Sequence, residues 1–205
     1  MPTKKTGPSK HPYPPPNFPK MALPFTKCRG PWFRLHYRRK GPLVFNWGNN
    51  YRFNAPSGEF GILYLSYDAN GAFIETFGWN TGKKKAISYT ELNNRLLEKV
   101  ISKNELNLVD LTGEGLARIG ADARVCTGEN FKLSQKWSLA FWNHPSNPDG
   151  IKYVMRHDPS KTGVALYSRN NVITSLSAKG LGTLLDHSNL GILIDCLNRY
   201  NFSLL

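Results

Sequence analysis

The stretch YRFNAPSGEFGILYLSYDANGAFIETFG, from Tyr51 to Gly78, contains the pattern that decides the fold class. Its centre, FGILYLSY (residues 60–67), is a short run of aliphatic and aromatic residues, which predicts a largely buried strand. Asp68 or Asn70 follows as the expected N-cap of a short helix. A turn, a strand and a helix therefore succeed one another within this stretch.

Strand patterns recur on both sides of it. WFRLHYRR (residues 32–39) alternates, and its apolar face is expected to be Phe33, Leu35 and Tyr37, which sends Arg34 to the opposite face. The segments RLLEKVIS, LNLVDL, GIKYVMRH and TGVALYSR predict four more strands, and the turn DPSK separates the last two.

Short helices are predicted between these strands. Ser88 and Glu91 resemble a capping box, Thr112 is the expected cap of a helix through Ile119, and Ser134 that of the helix in LSQKWSLAFWNH. Residues 184–200 predict an amphipathic helix. The residues expected to face the core in the last two helices are Trp137, Ala140, Phe141, Leu185, Leu190, Ile194 and Leu197. Because βαβ alternation is lacking, we predict an α+β fold with a compact, mostly antiparallel sheet and short flanking helices.

Charge and composition predict one domain with a leader. The chain has 205 residues, 40% of them hydrophobic, and a formal net charge of +13. Eleven of its 27 basic residues precede Glu59, the first acidic residue, and residues 59–205 hold 16 basic and 14 acidic residues. Residues 1–30 are rich in Pro and Lys, which predicts a flexible leader before a single domain over residues 31–205.

Several classes of protein do not match the sequence. No apolar run is long enough to span a bilayer and no secretory signal opens the chain, so a cytoplasmic location is expected. The three cysteines and five histidines lack the spacing of a disulfide framework or a metal site. Gly-rich phosphate loops, GxSxG, HExxH and CxxC motifs are absent.

Arg52, Tyr64 and Glu75 remain as a candidate constellation. An arginine can hold a pyrophosphate bidentately, a tyrosine offers a flat face to a heteroaromatic ring, and a carboxylate can stabilise an oxocarbenium-like transition state. The three types together suit cleavage of an N-glycosidic bond in a dinucleotide. The alternatives are a turn arginine paired with Glu59, a core tyrosine and a solvated helix glutamate.

The order of several separated motifs resembles one known family. WFRLHY, YRFNAPSGEFGILYLSYDANGAFIETFG, LVDLTGEGLARIGAD, SQKWSLAFWNHP and DGIKYVMRHD…GVALYSR are similar to the RES domain over about residues 31–170. RES domains are NAD-degrading toxins of toxin–antitoxin pairs, and their fold is related to ADP-ribosyltransferases. The resemblance implies an enzyme that breaks the nicotinamide–ribose bond of NAD.

The resemblance also implies roles for individual residues. Arg34 matches the first arginine of the family, which lines the dinucleotide pocket, and Arg52 matches the arginine of the "RF" pair. Tyr64 matches the tyrosine at the nicotinamide end. Glu75 matches the helix glutamate that acts on the ribose. Arg34, Tyr64 and Glu75 are therefore the expected catalytic residues.

The motif DGIKYVMRHD departs from the family pattern. Met155 stands where the family has a serine, before Arg156, and both are expected to contact NAD. Methionine has no hydrogen-bond donor to offer. The serine is then dispensable, or the pocket is altered, or the protein is a non-toxic descendant. Ser168, in the similar YSR on the next strand, is a weaker substitute.

The resemblance implies partners as well. NAD is expected as the substrate, with water, inorganic phosphate or a protein side chain as acceptor, and no cofactor or metal. The family pairs with an antitoxin that carries an Xre-type helix-turn-helix domain, so nucleic acid is expected only through that partner. Two alternatives stay open. One is a catalytically weakened interaction module, and the other is a nucleic-acid-binding protein that uses its basic leader and stacks bases on Trp32, Tyr37 and Trp47.

Overall fold

The structure, a computed structural model, describes residues 13–79 and 85–205. Within them a 3₁₀ helix at Phe18–Lys20 precedes the first strand, and another at His187–Asn189 precedes the last helix. The strands are β1 (Phe25–Cys28), β2 (Trp32–Tyr37), β3 (Ile62–Ser66), β4 (Ala86–Ile87), β5 (Arg95–Ser102), β6 (Leu106–Asp110), β7 (Gly150–Val154), β8 (Thr162–Tyr167), β9 (Leu176–Gly182) and β10 (Ser203–Leu204). The helices are α1 (Ala69–Phe77), α2 (Tyr89–Asn93), α3 (Gly115–Arg118), α4 (Arg124–Thr127), α5 (Phe131–Trp142), α6 (Asn170–Ser175) and α7 (Leu190–Tyr200).

One mixed sheet organises the molecule. Its eight strands run in the order β1-β6-β7-β8-β3-β2-β5-β9, and β4 pairs with β10 separately. Every neighbouring pair in the large sheet is antiparallel except β6 and β7. The predicted α+β fold with a mostly antiparallel sheet and short helices is confirmed.

Most of the helices cover one face of the sheet in two groups. Along β3, Ile62 packs into a core with α4 and α5, whereas Leu63 belongs to a second core on the opposite face. This alternation follows from the two-residue period of a strand. A third core, under α1 and α7, contains Phe73 and Leu193. The helix-covered face therefore has two cores, one beneath α5 and one beneath α1.

The strands β2 and β3 separate beside these cores. Their pairing is recorded only between Phe33 and Ser66, whereas β2 pairs with β5 at six positions. Further along β3, Ile62 bonds instead to Asn46, with N–O distances of 2.8 and 2.9 Å in the two directions. The splay leaves a gap in the sheet between β2 and β3.

The predicted apolar face of β2 is only partly right. Leu35 is buried as expected, but Phe33 and Tyr37 are half-buried. Trp32 and His36, on the side of Arg34, are buried instead. Both faces of β2 are covered, so an alternating pattern could not identify a single buried face.

The predicted helix caps are confirmed at two helices and wrong at two. The Asp68 side chain accepts a hydrogen bond from Gly71 N at the start of α1, and Ser88 accepts one from Glu91 N at α2. Thr112 instead donates to Asp110 Oδ1 before α3.

Asn130, and not Ser134, caps α5. The helix begins at Phe131, four residues earlier than a cap at Ser134 predicts, and Asn130 accepts from Lys132 N. Ser134 is buried inside the helix and donates to Val125 O at 2.5 Å. Trp137 and Phe141 face the core as predicted.

The helix predicted over residues 184–200 is shorter in the structure, and it buries a different side from the one predicted. It begins at Leu190, and Leu193 and Cys196 form its buried side. Two of the predicted core residues, Leu190 and Ile194, are exposed. Contacts to α1 fix this orientation, because the Cys196 thiol lies 3.3 Å from Asn70 Oδ1 and Asn70 donates to Asp195.

Residues 13–30, which the sequence analysis assigned to a flexible leader, pack on the domain in the structure. The Phe18 ring contacts the rings of Trp137 and Phe141 at 5.2 and 5.6 Å. Strand β1 then pairs with β6. Phe18 is a large apolar residue within the Pro-rich segment, and its burial stabilises this segment. Residues 1–12 of the predicted leader lie outside the described residues.

Candidate active site

A cleft of about 570 Å³ opens at the splay between β2 and β3. This volume is within the range of small-molecule sites. Its walls come from β2, β3, α1, the loop at residues 46–53 and the end of β7. It contains all six site residues predicted from the sequence, which are Arg34, Arg52, Tyr64, Glu75, Met155 and Arg156.

Helix α1 forms one wall. Ala72, Glu75 and Thr76 line the cleft, and their spacing places them on one side of the helix. Trp79, just after the end of the helix, lines the cleft as well. The opposite side, with Phe73, packs into the core. Glu75 therefore points to the cleft because the apolar side of α1 is committed to the sheet.

The Glu75 side chain is half-buried, and one of its two carboxyl oxygens is buried without a partner. Its Oε1 atom forms no hydrogen bond to any of the described residues. Burial raises the pKa of Glu75 to about 7, and the positive charge of Arg52 partly offsets this increase. A carboxyl group in this state exchanges a proton near neutral pH, which suits acid–base chemistry or stabilisation of a cation.

Arg52 faces Glu75 from the loop before β3. It is 8% exposed, donates to Gly128 O at 2.7 Å, and its guanidinium lies 4.9 Å from the centre of the Phe131 ring. Burial lowers its pKa. The alternative pairing with Glu59 is wrong, because Glu59 accepts from Ser57 N. Within the described chain Arg52 forms no ion pair, so its charge is available to an anionic ligand.

Arg34 lies at the β2 side of the gap. Its Nη1 donates to Pro42 O at 2.6 Å and to Val44 O at 3.2 Å, which fixes the side chain. Burial lowers the pKa of Arg34 to about 10, so the guanidinium stays charged at neutral pH. As with Arg52, no described carboxylate forms an ion pair with it.

Tyr64 contributes a ring but not a free hydroxyl. Its oxygen accepts from Phe53 N at 2.9 Å and donates to Asn54 Oδ1 at 3.0 Å. These bonds link β3 to the loop that holds Arg52. The ring meets Tyr51, half-exposed at the mouth of the cleft, edge-on at 6.0 Å.

Met155 forms part of the floor and is only 1% exposed. A β-carbon at Gly71 would lie 3.2 Å from its Sδ and Cε atoms, and one at Gly163 would lie 3.1 Å from Cε. The two glycines therefore leave the space that the methionine fills. Its packing supports α1 and hence the position of Glu75.

Arg156 and His157 follow at the outer end. Arg156 Nη2 lies 3.1 Å from Glu129 Oε1, but Glu129 is 91% exposed, so the pair is weak. Burial and the nearby cations, Arg156 first, lower the pKa of His157. The His157 ring lies 5.0 Å from that of Trp79. The neutral imidazole closes this end of the cleft.

Two alternatives for other residues do not match the structure. Ser168 accepts from Gly61 N at 2.9 Å and lies outside the cleft, so it does not substitute for a serine at position 155. Trp32 is fully buried, so it cannot stack on a nucleic-acid base. The other two proposed stacking residues, Tyr37 and Trp47, are partly and largely exposed.

No helix in the described ranges is long and apolar enough to cross a membrane. In the same ranges no group of three or more His, Cys, Asp or Glu side chains is arranged to hold a metal ion.

Comparison with known proteins identifies the family. The family model of the RES domain matches residues 31–180. The chain belongs to the RES domain family. A probable toxin of Sinorhizobium fredii, y4kH, is 31% identical over 100 residues, which are 49% of this chain and 76% of that protein. A chain in the crystal structure of the M. tuberculosis MbcT-MbcA toxin–antitoxin complex aligns with a TM-score of 0.58 and 14% identity, over 77% of this chain and 87% of that one. At this identity the likeness concerns the fold.

Sequence reasoning missed several cleft residues of this RES domain, among them Tyr153 and Ser66. Tyr153 is 4% exposed, lines the cleft beside Met155, and belongs to the motif DGIKYVMRHD. Because residues two apart in an extended chain share a side, the assignment of Met155 to the site was a signal for Tyr153 too. Ser66, the partner of Gly163 across β3 and β8, also lines the cleft and had no distinct signal.

Proposed function

We propose that this RES domain cleaves the bond between nicotinamide and ribose in NAD. The observation that carries the proposal is the unpartnered Glu75 carboxyl, buried in a cleft with Arg52 and Arg34, neither of which forms an ion pair among the described residues. A buried carboxylate can stabilise a sugar cation, and two free guanidinium groups can hold a pyrophosphate.

The reaction follows from these positions. The C–N bond breaks with its electron pair moving to the positively charged nicotinamide ring, which leaves as a neutral molecule. The ribose carbon becomes cationic and the Glu75 carboxylate stabilises it. Arg34 and Arg52 neutralise the pyrophosphate, and Arg156 adds positive charge at the outer end. The Tyr64 ring forms the apolar wall on the nicotinamide side, with Met155 on the floor.

The acceptor is water, inorganic phosphate or a protein side chain. When water or phosphate attacks the ribose carbon, the proton it releases passes to a base, and Glu75 with a pKa of about 7 can take it. The positively charged cleft favours phosphate as a co-substrate. NAD is the substrate in each case, and no metal or prosthetic group takes part in these steps.

The relatives support a role in a toxin–antitoxin pair. One is named a probable toxin, and the other is described as a toxin–antitoxin complex. We therefore propose that this protein is a cytoplasmic toxin that inhibits growth by consuming NAD. Its neutralising partner is then an Xre-type antitoxin, through which any contact with DNA is made.

The test is NAD consumption by the purified protein, with nicotinamide and ADP-ribose products quantified with and without added phosphate. Wild-type protein should release nicotinamide, and Glu75→Gln should lose at least about a hundredfold in rate. A phosphorylated ADP-ribose product identifies phosphate as the acceptor. Unchanged NAD after incubation with folded wild-type protein would reject the proposal and favour a catalytically silent interaction module.

A further inference from the structure

Tyr153 has an unpartnered hydroxyl in the cleft. The residue is 4% exposed and lines the cleft, yet within the described chain its hydroxyl forms no hydrogen bond. Its oxygen is not among the buried, unpartnered polar atoms of the described residues, so it reaches the open space of the cleft, where a ligand can bind it. The hydroxyl of Tyr64, by contrast, is fully used by Phe53 and Asn54.

The backbone around Tyr153 is built to direct this phenol towards the cleft. Tyr153 and Ser66 are both cross-strand partners of Gly163, on either side of β8. A β-carbon at Gly163 would lie 2.7 Å from Tyr153 Cζ and 2.8 Å from its hydroxyl oxygen. The phenol therefore leans across β8 towards β3 through space that only a glycine leaves open. The Phe53 ring, 5.0 Å away, holds it from the side.

Glu75 is the electrostatic neighbour of this hydroxyl. Among the charged groups that act on the phenol, its carboxylate raises the pKa of Tyr153 most, after burial itself. No hydrogen bond joins the two groups, and Glu75 Oε1 has no partner among the described residues. A neutral phenol offers a donor, and an ionised carboxylate offers an acceptor.

A ligand group that satisfies both must accept one hydrogen bond and donate another. A sugar hydroxyl does both at once, whereas the unprotonated oxygens of a pyrophosphate cannot donate to Glu75 and an ammonium cannot accept from Tyr153. We propose that Tyr153 binds a hydroxyl of the ribose whose bond is cleaved, donating to the oxygen while the same hydroxyl donates to Glu75. This inference rests on the proposed function and assigns a further substrate contact to it.

The contact orients the sugar for the reaction. Two hydrogen bonds to one hydroxyl fix the rotation of the ribose, so that its anomeric carbon faces the carboxylate. Hydrogen bonds to a sugar hydroxyl beside the reacting carbon also strengthen as positive charge develops there. Tyr153 should therefore contribute to kcat as well as to binding.

The test combines a protein change with a substrate change. We expect Tyr153→Phe to lose about 10- to 100-fold in kcat/KM on NAD, because Glu75 alone then holds the hydroxyl. On NAD analogues in which the 2- or the 3-hydroxyl of the nicotinamide ribose is replaced by hydrogen, the loss should vanish for one of the two. Such non-additivity identifies a direct contact.

A matched control is Tyr167→Phe, which removes another buried phenol hydroxyl on the neighbouring strand, outside the cleft. It should cleave NAD at the wild-type rate. Equal losses of Tyr153→Phe on all three substrates, or no loss on NAD, would overturn the proposed contact while leaving the proposed function intact.

Wild-type protein that does not cleave NAD would overturn the proposed function instead. Calorimetric titration with NAD then tests the contact separately, because Tyr153→Phe should bind NAD about tenfold more weakly and bind one deoxy analogue like the wild type. Absence of NAD binding to the wild type would reject both.

Discussion

Two polar clusters lie on the same face of the sheet. In one, called the closed cluster, the polar groups bond to each other, and in the other, called the open cluster, polar groups in the cleft lack partners. Beneath α5, Tyr167 donates to Ser138 O at 3.0 Å and the Ser138 hydroxyl donates to Phe53 O at 2.6 Å. In the cleft, the Glu75 Oε1 atom and the Tyr153 hydroxyl have no partner in the described residues. The first cluster lies within the core beneath α5, whereas the second lines the cleft.

The difference separates stability from function. A closed network has its hydrogen bonds already made, so it stabilises the native state alone. An unpartnered buried carboxylate destabilises the native state, because its lost hydration is not replaced. A ligand that supplies the missing bonds recovers that free energy. Substitutions in the open cluster should therefore change NAD cleavage, and substitutions in the closed cluster should change stability alone.

The largest effect is expected from Arg52, the cation that lies beside Glu75 in the cleft. Arg52→Met should lower kcat/KM for NAD by about 100- to 1,000-fold, because a preorganised charge at the substrate is lost. The free energy of unfolding should change little, since methionine can keep packing on Phe131 and a buried unpaired charge is removed. Steady-state kinetics and urea unfolding measure the two quantities.

The control for this change is Arg118→Met. Arg118 pairs with Glu114 on the surface of α3 and is 61% exposed, so both kinetics and stability should stay near wild type. A loss of less than about threefold in Arg52→Met would show that the cleft does not use this charge.

Met155, on the floor of the cleft, should contribute to stability through its packing. Met155→Ser should lower the free energy of unfolding by about 2–4 kcal/mol, because it opens a cavity between Gly71 and Gly163. Met155→Leu, similar in volume, should cost less than about 1.5 kcal/mol. Chemical denaturation decides the point, and a Met155→Ser protein as stable as the wild type would refute the packing role.

The pH dependence of cleavage should follow the Glu75 carboxyl. Because its pKa is about 7 and the ionised form stabilises the ribosyl cation, kcat/KM should rise about tenfold between about pH 6 and pH 8. Arg52 lowers the pKa of Glu75, so the midpoint of the pH profile of kcat/KM should move to higher pH in Arg52→Met. A flat profile over this range in the wild type would contradict the role of Glu75.

The smallest effect should come from the closed cluster. Tyr167→Phe should lower the free energy of unfolding by about 1 kcal/mol, since one internal hydrogen bond is lost. Its NAD cleavage should not change. Tyr153→Phe should show the opposite pattern, with stability near wild type and slower cleavage, and thermal melts beside initial rates distinguish the two tyrosines.

Local sequence patterns sufficed for much of the fold. The strand before Asp68 and the helix that this residue caps are both determined within a few residues, by burial pattern and cap chemistry. Sequence patterns failed where tertiary contacts determine which residues are buried. Both faces of β2 are covered, the side of α7 that is buried is set by Asn70 on α1, and Phe18 holds a segment whose composition indicated disorder.

The site itself required the family resemblance. The charges of Arg34, Glu75 and Arg156 are far apart in sequence and meet only because β2 and β3 splay beneath α1. Glu75 alone has the appearance of a solvated helix residue, since nothing near it in sequence shows that the cleft covers it. The Tyr153 contact depends on the missing side chain of Gly163, on another strand, and no local pattern could reveal it.

Glu75→Gln should separate the effect of the carboxyl on stability from its effect on catalysis. The raised pKa of Glu75 means that its contribution to stability is present below about pH 4.5 and is lost as the pH rises through about 7. Glu75→Gln has no ionisable carboxyl, so it does not lose this stability as the pH rises. At about pH 8 it should therefore be more stable than the wild type, by on the order of 2 kcal/mol, and at least about a hundredfold slower in cleaving NAD. A Glu75→Gln protein that is less stable at that pH and still cleaves NAD at the wild-type rate would contradict the account.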